Sequence, residues 1–311
     1  MPDIVIMFFL LGALAGVAKS DLKVPKAAYD TLSILLMLTL GLKGGLALHG
    51  QVSWQLLPEV VVVILIGIAI PLAVYPLVRK LAGLNPADSA SLAAHYGSAS
   101  AGTFAVALAF AEANNLAIAP QTTLYLVLLE LPAIVVAIMI YRKVTGSTAK
   151  ASAIWHEALT SRGVVLLAGG LLIGYWYGPE GSAAITPLFL GAFKALLALF
   201  LLEMGLCVSK HLNPFPLKHW RLIGFALIAP MILAVIGISL GVLLGLPTGS
   251  SLILGSLVAS ASYIAAPAAI RGAIPEADVG LSIFASLGVT FPFNVLVGIP
   301  IYYQLLTWFS A

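Results

Sequence analysis

The sequence predicts an all-α membrane protein of about ten transmembrane helices, arranged as two inverted five-helix repeats whose two broken helices cross at mid-membrane. Three observations predict it: an extremely apolar composition, a one-sided distribution of Lys and Arg, and two small, hydroxyl-rich segments at matching places in the two halves. Of 311 residues, 61% are hydrophobic and 9% charged, against about 25% charged in a soluble domain. A soluble chain this apolar would expose patches that aggregate. The lipid bilayer is its solvent.

A hydrocarbon core of about 30 Å takes about 20 residues of helix to cross. Ten apolar segments answer that need, at 4–18, 27–48, 56–78, 87–112, 122–141, 163–177, 186–209, 220–246, 250–270 and 279–309. They are separated by helix breakers, as in Gly83-Leu-Asn-Pro86, Tyr177-Gly-Pro179, Asn213-Pro-Phe-Pro216 and Gly245-Leu-Pro247, where glycine frees the backbone and proline removes a donor. The first segment carries Asp3 and no basic residue ahead of its apolar stretch. That is the wrong polarity for a secretory signal, so it reads as a retained span. The connection 142–162 reads as a cytoplasmic linker with an interfacial turn at Trp155, too short for a domain. The expected organisation is a first repeat at 1–145, a linker at 146–162 and a second repeat at 163–311.

Orientation follows from Lys and Arg, which favour cytoplasmic connections. Lys19, Lys23 and Lys26 follow the first span, Arg79 and Lys80 the third, and Arg142, Lys143, Lys150 and Arg162 the fifth. Lys210, Lys218 and Arg221 follow the seventh and Arg271 the ninth, so 13 of 15 basic residues share one side. Only Lys43 and Lys194 fall inside spans. Odd connections are therefore cytoplasmic and both termini outside, in a multi-pass protein of the cell's inner (plasma) membrane.

Two short matches support an inverted repeat. Leu38-Thr-Leu-Gly-Leu42 is echoed by Leu202-Glu-Met-Gly-Leu206, and Ser98-Ala-Ser100 by Ser260-Ala-Ser262, at offsets of 164 and 162. Five spans per copy make the second copy enter from the opposite face, the plan of many carriers.

The hydroxyl-rich segments are His95 to Phe104 in the fourth span and Ser256 to Pro267 in the ninth. At 1.5 Å per residue they reach similar depth. Gly97 and Gly102 weaken one helix, and Pro267 leaves carbonyls near Tyr263 without an amide partner. Breaks there would make half-helices beginning near Thr103 and Ala266, whose amino ends carry partial positive charge and free amides suited to an anion. Ser98, Ser100, Thr103, Ser260 and Ser262 add hydroxyls suited to a small oxyanion, and are the candidate substrate-binding residues. The competing reading is that such small residues only let helices pack closely in lipid.

Glu130, about 12 Å into its span and just before Pro132, is the coupling-ion candidate. An ionisable group there costs about 2.5–3.5 kcal/mol even on the lenient insertion scale. It binds a cation, carries a proton or pairs with a lysine. Glu203, Lys43 and Lys194 lie nearer span ends, where long side chains snorkel. His95 is expected to bond a neighbouring hydroxyl, and the single Cys207 to fill space. No metal triad, nucleotide loop or Ser-His-Asp spacing occurs, so nothing points to an enzyme, a resident metal cofactor or a nucleic-acid partner.

The chain resembles the cyanobacterial sodium-dependent bicarbonate transporter family, as a divergent member. The likeness rests on Leu40-Gly-Leu-Lys-Gly-Gly-Leu-Ala47, Gly97-Ser-Ala-Ser-Ala-Gly-Thr-Phe-Ala105, Glu130-Leu-Pro-Ala133 and Ala259-Ser-Ala-Ser-Tyr-Ile-Ala-Ala-Pro-Ala-Ala-Ile-Arg-Gly-Ala-Ile-Pro275. It implies a sodium-coupled bicarbonate carrier working by an elevator-like movement of a core domain against a gate domain, as a homotrimer, with bicarbonate held between the broken helices at Ser98, Ser100, Gly102, Thr103, Ser260 and Ser262 and with Tyr263 beside them. Two departures stand out. The family pattern has an aspartate where this chain has Tyr263, and a serine where it has Ala265, which removes an obvious sodium ligand. The long cytoplasmic insert of cyanobacterial members is much shortened, which weakens the expectation of their PII-like regulatory partner. A carrier of a small carboxylate with Tyr263 as a phenolic donor, and a non-transporting anion sensor, are the alternative readings.

Overall fold

The computed structural model describes residues 4–146, 159–160, 162–211 and 219–309. The expected turn at Trp155 lies outside the described residues, as does most of the 146–162 linker. The described chain is helical throughout, with α1 Ile4–Val17, α2 Lys26–Leu48, α3 Leu57–Leu81, α4 Pro86–Gly97, α5 Ala101–Ala113 and α6 Thr122–Thr145 in the first half. The second half holds α7 Arg162–Gly181, α8 Thr186–His211, α9 Trp220–Leu243, α10 Thr248–Val258, α11 Ala265–Ala273 and a last long helix, α12, at Val279–Trp308. Among the described residues six helices are long and apolar enough to cross a membrane, while Ile4–Val17 and Thr248–Val258 are shorter apolar helices. The fourth and ninth predicted spans are each two helices. The break signals read from the sequence take left-handed backbone at Gly83 (φ 66°), Gly178 (φ 63°) and Gly245 (φ 68°), which glycine adopts without a Cβ penalty.

Polarity is arranged for lipid. Leu14, Leu172, Trp176, Leu188 and Trp308 are exposed, whereas Ser91, His95, Ser260, Thr290 and Asn294 are buried. In hydrocarbon, lipid tails are as apolar as leucine, so helices associate through close packing and internal hydrogen bonds instead.

Close packing is visible in two helix pairs, α1 with α8 and α2 with α7. A Cβ on Gly12 would collide with the Leu202 carbonyl oxygen, and one on Gly205 with that of Phe9. Gly41 and Gly45 lie equally tight against Leu167 and Leu171, and Gly174 against Leu42. Each seam is a small-xxx-small stripe that brings two backbones together. The other helices pack chiefly among themselves, α3 with α4 and α6, and α9 with α10 and α12. Among the described residues two ion pairs occur. Lys43 with Glu112 links α2 to the end of α5, and Arg162 Nη1 with Asp30 Oδ1, 2.9 Å apart, links α7 to α2. Lys43, expected to snorkel, instead meets Glu112 and sits 5.3 Å from the Phe193 ring centroid.

Filling a seam should cost more than filling an open helical position. Gly205→Leu should lose at least about 1–3 kcal/mol through overpacking, read as a lowered unfolding midpoint in detergent. Gly191→Leu, with nothing within 4 Å of the new Cβ, should leave the midpoint unchanged.

Candidate functional site

The two breaks cross and complete each other. The chain is extended at Ser98 and Ser100, so amides and carbonyls there leave the helical ladder. The Ser262 amide donates to the His95 carbonyl at 2.7 Å and to the Ser98 carbonyl at 3.1 Å. The Ser100 amide donates to Ser260 Oγ at 2.8 Å, and that hydroxyl donates to the Leu257 carbonyl at 2.7 Å. Each break therefore satisfies groups that the other frees, which a bilayer interior requires.

The amino ends of the half-helices differ from expectation. They begin at Ala101 and Ala265, with Ser100 the N-cap of α5 and Ser262 two residues ahead of Ile264, the N-cap of α11. Ser100 Oγ accepts from the Thr103 amide at 3.1 Å, and Ser262 Oγ from the Ala266 amide at 3.2 Å. The free amides expected to hold an anion are thus partly taken up by these serine hydroxyls.

Glu130 meets the breaks in one small cavity. That cavity, of about 10 Å³, is lined by Glu130, Ser100, Ser262 and Tyr263 together with Met37 and Ala99, and about 10–15 Å³ is the least that holds one water. Glu130 is 3% exposed, and its Oε2 has no hydrogen-bond partner. Gly163 at the start of α7 is the close neighbour of Oε1, since a Cβ there would stand 2.6 Å from it. The Tyr263 hydroxyl is buried beside Ser100 and makes no well-formed hydrogen bond. Its ring packs edge-on to Phe291 at 5.2 Å, and Gly102 leaves room for its hydroxyl. Ser100, Ser262, Tyr263 and Glu130 are thus brought together, with Gly102 packed behind Tyr263. Ser98, Thr103 and Ser260 are buried next to them but do not line the cavity.

These residues fall inside a family match. The chain matches the Na+-dependent bicarbonate transporter superfamily over residues 4–307. It belongs to that superfamily. The chain is accordingly a membrane protein of a transporter family and not an enzyme. No curated protein matches it.

Within this superfamily member, several side chains do more than the sequence suggested. Glu203, expected to snorkel, is 7% exposed, and its Oε2 is unpartnered. Cys207, expected to be filler, donates its thiol to Glu203 Oε1 at 3.3 Å. His95 Nδ1 donates to the Ser91 carbonyl at 2.7 Å, not to a hydroxyl. Lys194 is exposed, as expected for a snorkelling side chain.

Asn294 is the residue that sequence reading missed. Its Nδ2 donates to the Ala259 carbonyl at the broken end of α10 at 2.9 Å, and Tyr302 Oη holds its Oδ1 at 2.7 Å. Farther along α12, Thr290 Oγ1 lies 2.6 Å from Tyr96 Oη and Ser282 Oγ lies 2.7 Å from Ser91 Oγ. Ser282, Ser286, Thr290, Asn294, Gly298 and Tyr302 follow at intervals of four, and all are buried. An α-helix of about 3.6 residues per turn would spiral such a stripe off its face. Two π-helical stretches, Phe284–Thr290 and Asn294–Gly298, widen the turn and keep it aligned. That strict period of four was the signal available in the sequence.

Removing the cross-break acceptor should cost more than removing an unpartnered hydroxyl. Ser260→Ala should lose about 1–3 kcal/mol because the buried Ser100 amide is left unsatisfied. Ser98→Ala, whose Oγ has no partner, should change the detergent unfolding midpoint little.

Proposed function

We propose that the chain is a secondary carrier of a small anion, bicarbonate being the simplest, coupled to sodium and working by elevator-like alternating access. The observation that carries the coupling is the meeting of Glu130 with Ser100, Ser262 and Tyr263 in one small cavity at the crossing of the breaks. A buried carboxylate oxygen without a partner is costly in hydrocarbon unless a cation or proton accompanies it. Hard cations take oxygen ligands, and a carboxylate with three hydroxyls is an oxygen set. Tyr263 removes the aspartate of the family pattern, and Glu130 keeps a carboxylate in the same space. Sodium fits that donor set and a cavity the size of one water.

The packing supports a ten-span inverted repeat. Exchanging the first five spans with the last five turns the α1–α8 seam into the α7–α2 seam, and the contact of α3 with α4 into that of α9 with α10. Glycine stripes occur in both seams. The gate is then α1, α2, α7 and α8, and the core is everything between and after them, carrying the crossed breaks. The basic residues put the start of α7 on the cytoplasmic side and both termini outside, in the plasma membrane. A homotrimer comes with the family resemblance alone.

The test is uptake of labelled bicarbonate into liposomes holding the purified full chain, with and without an inward sodium gradient. Gradient-driven uptake is expected. Uptake indifferent to sodium removes the coupling, and no uptake removes bicarbonate. Glu130→Gln should raise the half-saturating sodium concentration about tenfold or more, equivalent to about 1.4 kcal/mol, or abolish sodium dependence.

A further inference from the structure

The crossing has no room for an oxyanion as it stands, because its cavity of about 10 Å³ is filled by a single water. A much larger chamber, about 370 Å³, lies on the other side of Tyr263 and Ile264, which line both spaces. Its floor is one face of α11. Ile264, Pro267, Ala268 and Arg271 line it, at the i, i+3, i+4, i+7 spacing of one helical stripe. The first turn of this nine-residue helix offers little to an anion, because Pro267 has no amide hydrogen and the Ala266 amide is taken by Ser262 Oγ at 3.2 Å. Across the chamber Arg162 is neutralised by Asp30 at 2.9 Å. Arg271 is exposed and makes no hydrogen bond or ion pair among the described residues. The charged groups on the wall, Asp30, Arg162 and Arg271, therefore leave one positive charge uncompensated, on the guanidinium best shaped to grip an oxyanion through two N–H groups.

We propose that this chamber is a second anion subsite at the cytoplasmic mouth, where a small oxyanion is held by the guanidinium of Arg271. Tyr263 is the partition between this anion and the cation cavity of Glu130. The cytoplasmic placement and the passage of the anion onward rest on the carrier reading above, whereas occupancy of the chamber does not. A positive-inside anchor for lipid headgroups is the competing role for Arg271, and a binding readout separates the two.

The experiment uses the full chain with Cys207→Ser and Ala268→Cys, since Ala268 is exposed on the chamber wall. Labelling of the new thiol by a charged maleimide is timed in detergent and in proteoliposomes, with bicarbonate or chloride added at equal ionic strength. Bicarbonate should slow labelling at least threefold with Arg271 present. The effect should vanish in Arg271→Gln and persist in part in Arg271→Lys. Labelling equally fast with and without bicarbonate, or equal protection in Arg271→Gln, overturns the subsite whatever the uptake assay gives. Protection without uptake keeps the subsite and removes the carrier reading. In proteoliposomes that do transport, Arg271→Gln should raise the half-saturating bicarbonate on the cytoplasmic face about tenfold and leave the outer face unchanged. Equal change on both faces counts against a site at the inner mouth.

Discussion

The structure depends on one constraint: a helix broken inside a bilayer frees amides and carbonyls that lipid cannot satisfy. This protein breaks two helices and uses each to mend the other. The Ser262 amide takes two carbonyls of the first break, and Ser260 Oγ takes the Ser100 amide. Asn294 then takes the Ala259 carbonyl left at the end of α10. The small hydroxyl side chains follow from this requirement, because larger ones would keep the two backbones apart. What the crossing cannot mend is a short set of oxygens, Ser98 Oγ, Tyr263 Oη and Glu130 Oε2. Two of these three belong to residues that line the small cavity between the breaks.

Around this crossing, packing without a hydrophobic drive has two solutions. The α1–α8 and α2–α7 seams use glycine, so that backbone lies on backbone. The helices carrying the breaks use larger side chains and buried hydrogen bonds such as Tyr96 to Thr290 and Thr290 to the Ala226 carbonyl. Contact between the two groups is sparser in polar links. The Lys43–Glu112 pair, whose side chains are 31% and 32% exposed, crosses from α2 to α5. Apolar contacts cross as well, since Phe9 of α1 packs edge-on to Phe291 of α12 at 5.8 Å.

Much of this was legible in the residues. Composition and breakers located the helices, and Gly97 to Thr103 and Ser260 to Pro267 marked the breaks because Gly, Ser and Pro weaken helices by local chemistry. Glu130 stood out because a carboxylate in an apolar run is costly wherever it points. The roles of the serines were not legible, since a hydroxyl that caps its own helix and one that faces a ligand have the same sequence context. Depth alone misled for Glu203 and Lys43. Both lie toward span ends, yet neighbouring helices, not water, surround Glu203, and Glu112 from a distant span meets Lys43. Asn294 was passed over because helix reading assumes a period of 3.6, and its stripe runs at four.

That stripe makes α12 behave as a keyed shaft. Its side chains engage α4 at Ser91 and Tyr96, α9 at the Ala226 carbonyl, and the broken end of α10 at Ala259, all from one face. A rotation of the helix about its own axis would disengage every tooth at once, since the rungs stand in line and not on a spiral.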